Sequence, residues 1–354
     1  MPVNTSRTTY REHTDTENIL KLRQVLSTLP AFCKDYFRAI DSTTTTKTRI
    51  SYAYDIRIFF QFLLDENPAF KNYAMTDFSV KVLDQIKAVD LEEYMEYLKV
   101  YQNGDKTETN GERGLKRKIS ALRSFYAYYY KREMIHTNPT VLIDVPKIHD
   151  KSIIRLDTDE VALLLDYIEH CGDSLTGQKR VYYEKTKERD LAIVTLLLGT
   201  GIRVSECVGL DIEDVDFKNN GIKVTRKGGN EMVVYFGEEV EKALKRYLEV
   251  RAGITPLAGH EHALFYSAQR KRMGVQAVEN MVKKYSRQIT TTKKITPHKL
   301  RSTYGTALYQ ETGDIYLVAD VLGHKDVNTT KKHYAALDDA RRRQAATAVR
   351  LRED

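Results

Sequence analysis

The chain has 354 residues, 42% of them apolar and 30% charged, with a formal net charge of +7. That length exceeds one ordinary hydrophobic core and points to two domains, and the positive balance favours polyanionic partners. Met1 to Asn18 lacks the basic-then-apolar order of a secretory signal. The longest apolar run, Leu191 to Leu198, is broken by Thr195 and falls far short of the roughly 20 residues that span a bilayer. A cytoplasmic protein with no membrane partner is therefore expected. Cys33, Cys171 and Cys207 are scattered, odd in number and not at metal-ligand spacing, so they read as buried small apolar residues.

In chain order, the first half reads as helices. Ala53, Ile56, Phe60, Leu63 and Leu64 recur at helical spacing, and Asn67-Pro68 supplies a stop. The segment Gln102 to Gly111 is polar and reads as a loop. From Arg113 to about Arg132 a second amphipathic helix is predicted, with Leu115, Ile119, Leu122, Tyr126 and Tyr129 on one face. Its other face carries Arg113, Lys116, Arg117, Ser120 and Arg123, a basic stripe that suits either a solvated surface or one facing DNA phosphates.

Between Asn138 and Asp157 the helical period is lost and Pro139 and Pro146 appear, which marks a linker. Thr158 to His170 is a predicted helix with acidic residues in its first turn, and Glu188 to Leu198 a buried one ended by Gly199 and Gly201. Gly221 to Thr225 and Glu231 to Phe236 are β-rich runs around Arg226-Lys227-Gly228-Gly229-Asn230, a predicted hairpin, with Ala263 to Ser267 as a third strand. From Val275 onward the chain reads as helices. The expectation is a mainly α protein with a small antiparallel sheet: a flexible N-terminus over 1–20, a helical domain over 21–140, a linker over 141–157, a second domain over 158–336 and a C-terminal helix over 337–354.

Several polar residues of the second half sit where chemistry is feasible. Arg203 follows a glycine-broken helix end, where the backbone can turn it toward a ligand; a cap on the helix or a pair with Glu206 is the plainer alternative. Lys227 lies at the hairpin tip, where a lysine is either simply solvated or carried on an arm as a proton donor. Thr296-Pro297 opens a helix with Thr296 as N-cap, which puts His298 and Arg301 three residues apart in a first turn whose N–H groups favour an anion. Leu322-Gly323-His324 is followed ten positions later by Tyr334, one of 23 tyrosines.

The order of these residues carries more than any one of them. The series Arg203, Glu206, Lys227, His298, Arg301, His324, Tyr334 resembles the catalytic signature of the tyrosine recombinase (phage integrase) family. In that signature an arginine, a hairpin lysine, an H-x-x-R box, an L-G-H box and a C-terminal tyrosine follow one another. The resemblance covers essentially the whole chain. The stretches 187–193, 224–229 and 296–301 are similar to single-recombinase Xer proteins of Gram-positive bacteria, with integrases of mobile elements as near neighbours. Two departures stand out. Ser302 occupies the place where relatives often have a second histidine, and Tyr334 lies ten rather than nine positions after His324, so that His333 takes the Xer-like position.

The resemblance implies a two-domain DNA clamp, with a helical core-binding domain ahead of a catalytic domain. It further implies cleavage and rejoining of DNA through a 3′-phosphotyrosyl intermediate on Tyr334, with no cofactor and no metal. Arg203 and Arg301 would hold the phosphate, His298 would accept the phenolic proton, His324 would hydrogen-bond the phosphate, Lys227 would protonate the leaving oxygen, and Glu206 would orient its neighbours. Implied partners are double-stranded recombination sites, a tetrameric synaptic complex and accessory DNA-binding proteins. The tail, Leu337 to Leu351 with Arg341, Arg342 and Arg343, would either dock on the next subunit or fold back on its own domain. A catalytically silent DNA-binding protein and a type IB topoisomerase are the competing readings. Whether the biological role is chromosome dimer resolution or movement of a mobile element stays open.

Overall fold

The computed structural model describes residues 9–149, 153–226, 229–324, 326–328 and 330. The chain divides into two compact units, Met1–Asp150 and Lys151–Asp354.

The first unit is built on helices α1 (Tyr10–Leu26), α2 (Cys33–Ala39), α3 (Thr46–Glu66), α4 (Val82–Gln85), α5 (Ala88–Tyr97) and α6 (Glu112–Tyr130). Against the reading of 1–20 as flexible, α1 begins at Tyr10. Thr9 and Glu12 cap each other reciprocally there, and Leu22 and Val25 anchor the far end in the core. α3 and α6 supply more of the core than any other pair of elements, and that core is strongly aromatic. Tyr36, Phe59, Phe60, Tyr94, Phe125, Tyr126 and Tyr129 are fully buried, and rings such as Tyr36 and Phe125 meet edge to face at 5.2 Å. A buried phenol must also satisfy its hydroxyl. Tyr129 donates to the Phe32 carbonyl at 2.7 Å, and Tyr36 to Ser124 Oγ at 2.9 Å.

The segment 102–111 is a correction. Strands β1 (Val100–Asn103) and β2 (Lys106–Thr109) pair antiparallel across it, with Gly104 in the left-handed region at φ 62° to make the turn. All but Tyr101 of their eight residues are exposed, so no apolar alternation marks them as strands.

The second unit holds α7 (Thr158–His170), α8 (Gly177–Thr200), α9 (Val204–Gly209), strands β3 (Val215–Asp216), β4 (Gly221–Thr225) and β5 (Glu231–Tyr235), then α10 (Glu238–Ala252), α11 (Val275–Ile289), α12 (Pro297–Thr312) and α13 (Ile315–Leu322). α8 starts eleven residues before the predicted Glu188, because its first turns are polar and exposed and carry no apolar period. Its last turns are buried on every side, with α7, α10 and α12 packed around them. β4 and β5 form the predicted hairpin, with Ile222 opposite Val234. The third strand is β3, not Ala263 to Ser267. Residues 263–266 are buried apolar filler, and their backbone bonds go to loop partners and side chains: Leu264 N–H to the Leu210 carbonyl at 2.9 Å, Tyr266 N–H to the Tyr247 hydroxyl at 3.0 Å.

All three cysteines are buried and unpaired. Among the described residues, no helix is long and apolar enough to cross a membrane, and no cluster of histidine, cysteine or carboxylates is arranged to hold a metal ion.

Candidate active site

Three turns of the second unit meet at one place: the α8–α9 turn, the first turn of α12 and the C-terminal end of α13. Gly201 makes the meeting feasible. It ends α8 at φ 61°, and a Cβ there would stand 2.3 Å from Tyr304 Cδ1 on α12 and 2.9 Å from Leu322 Cδ2 on α13. Only glycine fits both the backbone angle and the space.

Two residues later Arg203 occupies the N-cap position of α9. Its backbone N–H and its guanidinium Nη1 both donate to the Glu206 carboxylate at 2.8 Å, while Nη2 donates to the Gly323 carbonyl at 3.2 Å. Glu206 is buried, and the Arg203 side chain keeps about a third of its surface open, at 34%. The alternative of a simple pair with Glu206 is thus present, and it fixes the direction in which the exposed part of the guanidinium faces. A charge-assisted pair of this kind is stronger than a neutral hydrogen bond and restrains a long side chain.

α12 opens with Thr296 at the N-cap position and Pro297 at the first helical position, although the Thr296 side chain makes no capping bond. His298 is exposed in that first turn, and Arg301 points inward at 4% exposure. Arg301 donates from Nη1 to the Gly201 carbonyl at 2.5 Å and from Nη2 to the Leu322 carbonyl. α13 ends at Gly323, left-handed at φ 62°, which turns the chain into His324. The His324 N–H donates to the Ala319 carbonyl at 2.9 Å, and its Nδ1 lies 2.7 Å from Thr330 Oγ1.

The structure therefore brings together Arg203, Glu206, Arg301 and the residues flanking His324, from segments far apart in the chain, and sets His298 in the same helical turn as Arg301. Lys227 and Tyr334 lie outside the described residues, as does the tail 337–354. The backbone flanking Lys227 in the hairpin turn is defined: the Arg226 N–H donates to the Asn230 carbonyl at 2.8 Å, and the Gly229 N–H to the Arg226 carbonyl at 2.9 Å. Arg226 itself is a site residue that sequence reasoning misses. Its Nη2 donates to the Val321 carbonyl at 2.7 Å, and burial lowers its pKa, with the Glu206 carboxylate opposing that shift and the Arg203 charge adding to it. The sequence signal for it is its place directly before Lys227.

The α6 stripe divides. Arg113, Lys116, Arg117 and Ser120 are exposed, but Arg117 forms an ion pair with buried Asp55. Arg123 is half-buried and donates to the Thr140 carbonyl at 3.0 Å and the Ile143 carbonyl at 2.8 Å. Ser120 Oγ donates to the Lys116 carbonyl at 2.7 Å. Lys118, on the apolar side, is buried with its Nζ 3.0 Å from Asn110 Oδ1 and 3.7 Å from Asp55. Burial raises the Asp55 carboxyl pKa and lowers that of the Lys118 ammonium, each against the pull of its partner.

With this geometry in place, the comparisons with known proteins define the class. The model of the phage integrase family matches residues 155–341, more than half of the chain, and the chain belongs to that family. Its curated relatives include the tyrosine recombinase XerC of Caldanaerobacter subterraneus subsp. tengcongensis, 33% identical over 328 residues, which are 90% of this chain and 86% of the relative. The tyrosine recombinase XerS of Lactococcus lactis subsp. cremoris is 31% identical over 340 residues, 89% of this chain and 93% of the relative. Among solved structures, XerH bound to a palindromic difH substrate superposes with a TM-score of 0.64 at 20% identity, covering 97% of this chain and 90% of that one. The Tn1549 transposon integrase in complex with circular intermediate DNA gives 0.62 at 21% identity, covering 88% and 98%; both share the fold. The protein is a tyrosine-type site-specific DNA recombinase of Xer-like sequence.

Proposed function

We propose that this recombinase cuts each strand of its duplex site by attack of the Tyr334 phenol on the scissile phosphorus, giving a 3′-phosphotyrosyl bond and a free 5′-hydroxyl. The observation that carries the reading is the convergence of Arg203 and Arg301 on adjacent carbonyls at the α13 terminus. Two guanidinium groups held at one point are the donors a phosphodiester needs. The diester's negative charge repels a nucleophile and grows in the pentacoordinate transition state, and each guanidinium offers paired N–H donors to the non-bridging oxygens. One unit charge pair at about 4 Å and an effective dielectric near 20 is worth roughly 4 kcal/mol. Two such pairs supply much of the stabilisation that metal ions give elsewhere, so activity is expected to persist in EDTA.

The remaining roles follow from what the chemistry still lacks. A phenol with a reference pKa of about 10 is protonated at neutral pH and needs an acceptor; His298, exposed at the N-terminus of α12 beside Arg301, takes that role. His324, whose Nδ1 lies 2.7 Å from Thr330 Oγ1, hydrogen-bonds the phosphate. Lys227 protonates the departing 5′-oxygen, and Glu206 holds Arg203 in line. The bond energy is kept in the phosphotyrosine, so attack by a 5′-hydroxyl from a second duplex reseals the strand without ATP.

Strand exchange on paired sites requires several copies in register. In this reading the partners are double-stranded recombination sites, the assembly is a tetramer, residues 21–140 embrace the DNA, residues 158–336 cut it, and the tail 337–354 docks on the next subunit. Exposed Arg113 and Lys116 on α6 are its phosphate contacts. Nicked suicide duplexes test the nucleophile: Tyr334→Phe is expected to bind the site and form no covalent complex, and covalent capture by this variant would refute the assignment.

A further inference from the structure

Three consecutive carbonyls at the end of α13 each accept a hydrogen bond from a different arginine. Val321 accepts from Arg226 at 2.7 Å, Leu322 from Arg301, and Gly323 from Arg203 at 3.2 Å. The last carbonyls of a helix have no acceptor role inside it and carry the negative end of its dipole, so a cation on each stabilises the turn. Two of the three arginines belong to the phosphate-holding pair. Arg226 does not, and its environment differs from theirs.

The Arg226 guanidinium packs closely against Gly323: a Cβ on that glycine would stand 1.7 Å from Nη1 and 2.4 Å from Cζ. Any side chain at 323 would evict it. Its Nε and Nη1 are buried and have no hydrogen-bond partner among the described residues. With Nη2 donating to the Val321 carbonyl, Arg226 grips the protein in this arrangement. Its own backbone is pinned in the hairpin turn by the two bonds to Asn230 and Gly229. The next residue after the gripped turn is His324.

We propose that Arg226 is a positioning residue for DNA cleavage: anchored in the hairpin turn, it clamps the Val321–Gly323 turn and thereby fixes His324 for its contact with the scissile phosphate. The inference rests on the phosphate contact assigned to His324 above. It makes the hairpin a support for the active site as well as the bearer of Lys227. Loss of Arg226 would leave the Val321 carbonyl without its donor and open a gap over Gly323, so the histidine would sample orientations that miss the phosphate.

A double-mutant cycle on the full-length protein tests this, read as the single-turnover rate of covalent-complex formation on a nicked suicide duplex. Arg226→Met and His324→Ala are each expected to slow that rate by at least about tenfold with site binding retained. The double variant is expected to be no slower than the slower single variant, within about threefold. Arg226→Lys can still donate to Val321 without covering Gly323, and should recover part of the lost rate. Losses that multiply in the double variant would overturn the proposal, because a general loss of packing would be felt equally without His324. An Arg226→Met variant at the wild-type rate would overturn it too. If His324→Ala cleaves normally, the phosphate role of His324 fails and the inference falls with it; a damaged His324→Ala with multiplying losses sinks the inference alone. Should Arg226→Met not fold, Arg226→Lys in the same cycle supplies the same comparison.

Discussion

Along one face of α6, cations at helical spacing meet three different fates. Arg117 is paired with a buried carboxylate, Arg123 holds two backbone carbonyls of the turn that follows, and Arg113 and Lys116 stand exposed. In the second unit, Arg203, Arg226 and Arg301 come from three separate segments and meet on three neighbouring carbonyls of one turn. The α6 cations are ordered in sequence and divided in space. The three arginines of the second unit are scattered in sequence and gathered in space. Charge pattern within a helix tells which residues share a face, but partners from other segments decide what each cation does.

Mutations can break this contrast, and the largest effect belongs to the gathered set. Arg203→Ala and Arg301→Ala are each expected to lower the single-turnover cleavage rate by about two to four orders of magnitude, with site affinity changed by less than about tenfold. Both should also lower Tm in thermal denaturation: buried Arg301 ties the α8–α9 turn to α13, and loss of Arg203 leaves the buried Glu206 carboxylate without its guanidinium partner.

Next in size is the buried end of the α6 network. Asp55→Ala strands the Lys118 ammonium in the core with only Asn110 for company, and should destabilise the protein by about 3 to 5 kcal/mol in urea titrations. A loss below about 1 kcal/mol would mean that Lys118 escapes to water and that the network is not a structural one.

The smallest effects sharpen the division within the stripe. Arg113→Ala and Lys116→Ala should each reduce the slope of log affinity against log salt by about 0.9, the signature of one lost phosphate contact, with stability unchanged. Arg123→Ala should do the reverse, lowering stability while keeping the slope. If Arg123→Ala and Lys116→Ala change the slope alike, the distinction drawn from their partners is wrong.

Much of the fold is legible in local chemistry. The β4–β5 hairpin is marked by β-rich runs around paired glycines, and α12 by Thr296-Pro297 ahead of its first turn, so local sequence alone places His298 and Arg301 in one helical turn. The β1–β2 ribbon is illegible because a two-stranded hairpin exposed on both faces has no apolar alternation to read. Residues 263–266 mislead for the opposite reason: a short apolar run has the same composition whether it pairs as a strand or fills a core. Within the site, the family resemblance supplies the order of the residues and includes Arg226 in a matching stretch, but gives it no role. Its function lies in a grip on Val321 and Gly323, almost a hundred residues away, and no periodicity records a contact of that range.

The central claim is that Arg203 and Arg301 act by neutralising the charge of one phosphodiester. It is tested most directly by placing a methylphosphonate, which lacks that charge, at the scissile position of a suicide duplex and measuring single-turnover cleavage by Arg203→Ala and Arg301→Ala. Both variants are expected to regain at least about tenfold of the rate lost on the natural phosphodiester. If they stay as slow on the uncharged substrate as on the charged one, the two arginines serve some other purpose and the account is contradicted.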